Sequence, residues 1–166
     1  MKVLITGHTS GIGRSTTALL ESKNFDVNGL SRSTGFDIEN NYDLVSNTIM
    51  NNDPDVFINN AYAPKYQTLL LKRIYSEWKL KDKLIINIGS IASLVPKDNP
   101  DHDSVYATDK RNQRKFIESE NFLYSKKNFN TIKCGLVNIN CDYVSTPFKS
   151  KYDKRKFPNL DPKEVA

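Results

Sequence analysis

The stretch that most constrains this chain lies at its start, residues 2–13, read as KVLITGHTSGIG. Val3-Leu4-Ile5 is a short apolar run of the kind that forms a buried parallel strand. It breaks at Thr6-Gly7, and glycines follow at positions 7, 11 and 13. From Gly11 the residues take on helical character, which predicts a helix over 11–23. Strand, glycine turn and helix in this order make a seat for phosphate. The glycines let the backbone come close, and the helix N-terminus offers unpaired N–H groups and the positive end of a dipole. The context predicts a dinucleotide-binding turn built from Gly7, Thr9, Ser10, Gly11, Ile12 and Gly13.

With 166 residues and 38% hydrophobic content gathered in strand-like runs, the chain is expected to fold as one domain, 1–166, with a real core. No apolar run is long enough to span a membrane. A strand starting at Val3 takes the place of a signal-peptide pattern. Cys134 and Cys141 lack metal-ligand spacing and predict reduced thiols in a cytoplasmic protein. His8 and His102 likewise have no partner of metal spacing and read as loop residues. Part of the +5 net charge comes from Lys149, Lys151, Lys154, Arg155 and Lys156. Without an aromatic stacking platform beside it, this run reads as a solvated loop and not as a nucleic-acid surface.

A second strand is expected over 25–31, ending in Ser31-Arg32-Ser33. This point, about 20 residues past the last glycine, is where a dinucleotide fold meets the adenosine ribose. An acid there would bind the ribose hydroxyls. Arg32 instead suits a 2′-phosphate, because its guanidinium forks onto phosphate oxygens. The expected cofactor is therefore NADP(H) ahead of NAD(H). Asp37 is placed either to accept from the adenine amino group or to cap the helix that follows, and Ile38 beside it is a further candidate cofactor contact.

Further along, Tyr42, Val45 and Ile49 give helical spacing over 40–50, and Asp53-Pro54 marks a turn. Val56-Phe57-Ile58 reads as a strand ending in Asn59-Asn60-Ala61-Tyr62. A helix over 67–80 sets Leu70, Ile74 and Trp78 on one face, with Trp78 in the core. Leu84-Ile85-Ile86-Asn87-Ile88 is another strand, ending in Gly89-Ser90. Tyr106 and Lys110, four apart, project from one helix face, and that helix continues through Arg114, Phe116 and Ile117. A last strand-like run covers 131–138. Alternating strands and helices predict an α/β fold: a Rossmann-like, doubly wound parallel sheet of about six strands with helices on both faces.

These residues resemble the short-chain dehydrogenase/reductase family over nearly the whole chain. Thr6 to Gly13 matches its TGxxxGxG motif, with the spacing of the ordinary short type. Asn59-Asn60-Ala61-Tyr62 is similar to NNAG, with Tyr62 in the place of the final glycine. Ile86 to Ser90 looks like the strand that delivers the catalytic serine, and Tyr106 to Lys110 matches YxxxK. The resemblance implies hydride transfer between a nicotinamide and a small carbonyl or secondary alcohol. It makes Ser90, Tyr106 and Lys110 catalytic, and Asn60, Ala61, Tyr106, Lys110 and Thr146 cofactor contacts. Tyr106 would be the acid/base, with a neighbouring ammonium on Lys110 lowering its pKa. Ser90 would hydrogen-bond the carbonyl oxygen. The family also implies self-association, as a homodimer or homotetramer.

The sequence departs from the family at four places. There is no room between Arg32 and Asp37 for the helix that normally joins the second and third strands. The approach to the helix between Tyr62 and Leu84 is short, and no asparagine occurs between Ala61 and Ile86 to match the family's active-site asparagine, which leaves Gln67 or a water in its place. Cys141-Asp142 replaces Pro-Gly, so the loop over the nicotinamide is expected to differ. The chain ends at Ala166, where the family continues to a last strand. These departures motivate an alternative reading, a catalytically weak NAD(P)-binding sensor of the same fold.

Overall fold

A computed structural model describes residues 1–126 and 133–141. Their order is β1 (Lys2–Thr6), α1 (Gly11–Ser22), β2 (Asp26–Leu30), α2 (Tyr42–Asn52), β3 (Val56–Asn59), α3 (Tyr66–Trp78), β4 (Leu84–Ser90), α4 (Val105–Lys126) and β5 (Gly135–Cys141). Short 3₁₀ turns cover Arg32–Thr34 and Ile91–Leu94. All strand pairings are parallel, in the order β2-β1-β3-β4-β5. The chain steps outward from β1 to β2 and then returns to build β3, β4 and β5 on the other side. The carboxyl ends of β1 and β3 therefore flank the point where the winding reverses, the usual crevice for a ligand in such sheets.

Side chains alternate across the sheet. Leu4, Phe57 and Ile85 face the layer of α2, α3 and α4, where Val45, Ile49, Leu70, Leu71, Ile74 and Trp78 are buried. Val3, Ile5, Val56 and Ile58 face the other way and pack with Leu20 of α1. Trp78 is in the core as expected, edge-on to Phe57 with ring centroids 6.4 Å apart. Among the described residues no helix is long and apolar enough to cross a membrane.

Three local features differ from the sequence expectation. The described sheet has five strands and not about six, and the chain after β2 turns: the Asp37 carboxylate accepts from the N–H groups of Glu39 and Asn40 at 2.9 and 3.3 Å. Only the 3₁₀ turn Arg32–Thr34 occupies the place of the missing helix, so β2 ends the described sheet. Finally, β5 begins at Gly135 and runs on through Cys141, because β4 offers it partners as far as Ser90. Cys141, expected in a loop, is thus a strand residue in register with Ser90. Thr146, the basic residues 149–156 and the chain end lie outside the described residues.

Candidate active site

The glycine turn closes onto the end of β3. Gly7 has φ +74°, and a Cβ on Gly13 would fall on the carbonyl oxygen of Gly7. Both positions therefore require bare backbone. Thr6, buried at the end of β1, accepts at Oγ1 from the main-chain N–H of Asn60 (3.0 Å) and of Ala61 (3.1 Å). Asn60 Nδ2 returns a bond to the Thr6 carbonyl at 2.9 Å. The two expected cofactor stretches, 7–13 and 60–61, are thereby stitched together.

At the start of α1, Ser10 is extended and its side chain caps nothing, and no acidic residue stands in the first turn. The helix end keeps its N–H groups and positive dipole for an anion. Beside it, Ser33 donates to Thr9 Oγ1 at 3.2 Å and shares a 2.9 Å bond with Ser31. Arg32 is exposed next to this hydroxyl cluster. Asp37 does cap the turn. Burial alone would raise its carboxyl, but the bonds from Glu39 and Asn40 prevail and hold it below its ordinary value. The side chain of Ile38 is in the core, which leaves its main chain as the part able to meet a ligand. A dinucleotide fits this set: two bare-backbone glycines, an uncapped helix start, and hydroxyls with a guanidinium at the end of β2.

Ser90, Tyr106 and Lys110 come together at the carboxyl end of β4. Ser90 accepts from Ala92 N–H at 3.1 Å and is hydrogen-bonded to Tyr106. Lys110 is buried, donating to Gln67 Oε1 at 2.9 Å and to the Ile88 carbonyl at 2.8 Å. Its Nζ lies 5.6 Å from the centroid of Tyr106. Burial pulls Lys110 down from 10.5 to about 7, with Cys141 and Asp109 opposing the fall. The expectation that Lys110 lowers Tyr106 is not met. Burial pushes Tyr106 above 10.0, the bond from Ser90 works against the rise, and Cys141 adds to it. A shielded phenol of this kind keeps its proton.

Four groups escaped the sequence reading of roles. Tyr62 donates to Asp109 Oδ2 at 3.2 Å and meets Tyr106 edge to face. Asp109 also accepts from Lys65 N–H at 2.8 Å, tying the loop after β3 to α4. Gln113 is fully buried one turn beyond Lys110. The thiol of Cys141, pushed up by burial and pulled back by Lys110, completes the surroundings. Position 109 inside YxxxK and the i, i+3 spacing of Lys110 and Gln113 were the available signals.

No protein-family model matches the sequence, and no curated protein matches it. Solved structures do. The chain is similar to a 3-ketoacyl-(acyl-carrier-protein) reductase from Brucella melitensis complexed with NADH, at 16% identity and a TM-score of 0.74, covering 99% of this chain and 86% of that one. The fold is that of the short-chain dehydrogenase/reductases. A short chain dehydrogenase from Burkholderia cenocepacia J2315 in complex with NADP is similar at 16% identity, TM-score 0.73, with 99% and 80% covered. The 3-alpha-hydroxysteroid dehydrogenase from Pseudomonas sp. B-0831 complexed with NADH is similar at 17% identity, TM-score 0.66, with 99% and 86% covered. The parallel five-stranded sheet with its helices matches the short-chain dehydrogenase/reductase fold.

Proposed function

We propose that this protein is an NADP(H)-dependent oxidoreductase that transfers a hydride between the nicotinamide and a small carbonyl or secondary-alcohol substrate. One observation carries the reading: Ser90, Tyr106 and Lys110 converge at the end of β4, on the same edge of the sheet as the glycine turn. The cofactor, when bound, supplies the hydride. Gly7, Gly11, Gly13 and the start of α1 would hold its pyrophosphate, and Arg32 with Ser31, Ser33 and Thr9 a 2′-phosphate. Asn60, Ala61 and the Asp37–Ile38 main chain would line its path.

The protein's own task is to manage one proton. Burial favours the protonated form of Tyr106, which suits it to donate to a carbonyl oxygen as negative charge develops there. Ser90, bonded to Tyr106, is the second donor to that oxygen. Lys110 supports the phenolate that remains after donation. The free, buried thiols of Cys134 and Cys141 fit a cytoplasmic compartment. The resemblance to the short-chain dehydrogenase/reductases favours a homodimer or homotetramer.

A second reading, a NAD(P)-binding sensor with weak turnover, is favoured by Tyr62, which packs against Tyr106 where the family motif has glycine. Mixing the purified protein with NADPH and a panel of aldehydes, ketones and quinones separates the two. Loss of NADPH absorbance that disappears in Tyr106→Phe supports the oxidoreductase. Tight NADPH binding without Tyr106-dependent oxidation supports the sensor.

A further inference from the structure

Four amide side chains lie fully buried between the sheet and the α3–α4 layer: Asn59 on β3, Gln67 on α3, Asn87 on β4 and Gln113 on α4. Asn59 Nδ2 donates to Asn87 Oδ1 at 2.9 Å, and Asn87 Nδ2 to Gln113 Oε1 at 3.1 Å. Gln113 Nε2 donates to Gln67 Oε1 at 3.1 Å, and Gln67 Nε2 to the Asn59 carbonyl oxygen at 3.0 Å. Donation runs one way through the side-chain amides from Asn59 by Asn87 and Gln113 to Gln67, so each of these bonds polarises the next in the same sense, and Gln67 closes the ring only through the main chain of β3. Asn87 Nδ2 also donates outward, to Asn138 Oδ1 of β5 at 2.7 Å.

Lys110 determines which way the circuit runs. Its ammonium has no lone pair, so the Gln67 atom that faces it at 2.9 Å must be oxygen. Gln113 then has to present its NH₂ to that oxygen, and its own oxygen is left for Asn87. Turning one amide over would set like atoms face to face, leaving buried donors and acceptors unmade. The dependence works in both directions, because the ring holds the Gln67 oxygen where Lys110 uses it. With the Ile88 carbonyl, this takes two of the three ammonium donors.

We propose that Gln67 and Gln113 are positioning residues for Lys110, and that their amide ring holds its ammonium beside Tyr106 and favours the charged form against the apolar surroundings. The inference rests on the role given to Lys110 in the oxidoreductase reading. The titratable groups that face Lys110 are Tyr106 and Asp109 of its own helix, Tyr62 after β3 and Cys141 of β5. Asp109 is engaged by Tyr62 and Lys65, and the Cys141 thiol is pushed up by burial. Gln67 is thus the side chain whose oxygen accepts from Lys110.

The test follows the Lys110 side chain by NMR in the full chain labelled with ¹³Cε-lysine, its signal assigned from Lys110→Met. Gln67→Met, which deletes the acceptor, should lower the titration midpoint by about one pH unit. Gln67→Glu, which puts a carboxylate there, should raise it by about one pH unit or more. Gln113→Met, whose native hydrogen bonds go to Gln67 and Asn87, should lower it by less. Circular dichroism checks that each variant is folded. Unmoved midpoints in both Gln67 variants, or shifts of the same sign in both, overturn the proposal, since a general loosening cannot give opposite signs. Should the Gln67 variants not fold, an unmoved midpoint in Gln113→Met overturns it. The titration uses neither cofactor nor substrate, so absent NADPH turnover would count against the oxidoreductase reading and leave this result distinct.

Discussion

The ring of Tyr62 stands edge to face against that of Tyr106, with centroids 4.9 Å apart, while its hydroxyl is held by Asp109. Burial, with the Asp109 carboxylate adding to it, pushes the Tyr62 hydroxyl well above its ordinary value, so Tyr62 stays protonated and acts as a wall. Tyr62→Phe should cost about 1 kcal/mol of unfolding free energy by deleting one hydrogen bond. Tyr62→Gly should cost more, about 2 kcal/mol, and open the space beside Tyr106 to bulkier carbonyl substrates. Urea unfolding reads the first effect, and relative rates on small and large ketones the second.

Lys110 gives a pH signature of known sign. Its pKa is about 7 in the folded chain against an ordinary 10.5. Between those values the unfolded chain binds a proton that the folded chain does not, so stability rises with pH by up to about 1.4 kcal/mol per pH unit. Cys134, pushed from 9.0 up to about 11 by burial, and Cys141 and Tyr106, also raised, work the other way. Above about pH 9 the folded chain retains protons that the unfolded chain releases, and stability falls. Urea unfolding between pH 6 and pH 10 should therefore show a maximum near pH 9. Lys110→Met should flatten the rise between pH 7 and pH 9; a rise that persists in that variant belongs to another group.

The turn offers a steric test. In Gly13→Ala the new Cβ meets the Gly7 carbonyl, and the turn has to move. We expect a loss of about 2 kcal/mol in stability and at least a tenfold loss in NADPH affinity. Fluorescence titration with NADPH measures the second. Unchanged affinity would remove the pyrophosphate from this turn.

Cofactor choice is tested at the end of β2. Arg32→Ser should weaken NADPH binding by about tenfold while leaving NADH binding unchanged, because only the former carries the 2′-phosphate. Equal losses for both would assign Arg32 to the shared part of the dinucleotide.

Much of this architecture was legible in the sequence where a single stretch contains its own partners. Lys2 to Gly13 holds strand, turn and helix start in one run, and Tyr106 and Lys110 share a helix face through their spacing alone. The role of Asp37 stayed open, since a carboxylate at that place suits an adenine amino group as well as the N–H groups it caps. The burial of Tyr106 was hidden as well. Helical spacing shows which residues lie near it along α4, but not that Tyr62, from a loop more than forty residues earlier, shields it. The amide ring was the least visible element, because its members come from four segments and each looks locally like a polar residue bound for the surface.

Asn59, Asn87 and Asn138 occupy matched positions on three adjacent parallel strands, and their amides bond across in sequence. The flanking valines, isoleucines and leucines cannot by themselves distinguish this alignment from one displaced by two residues, since such a slip keeps every apolar side chain on its own face. Asn59 and Asn87 can, because a slip of β3 against β4 strands these two buried amides without each other. The pair of amides therefore works as a vernier for β3 against β4, and β5, running in register beside β4 to its end, brings Cys141 to the same height above the crevice as Ser90.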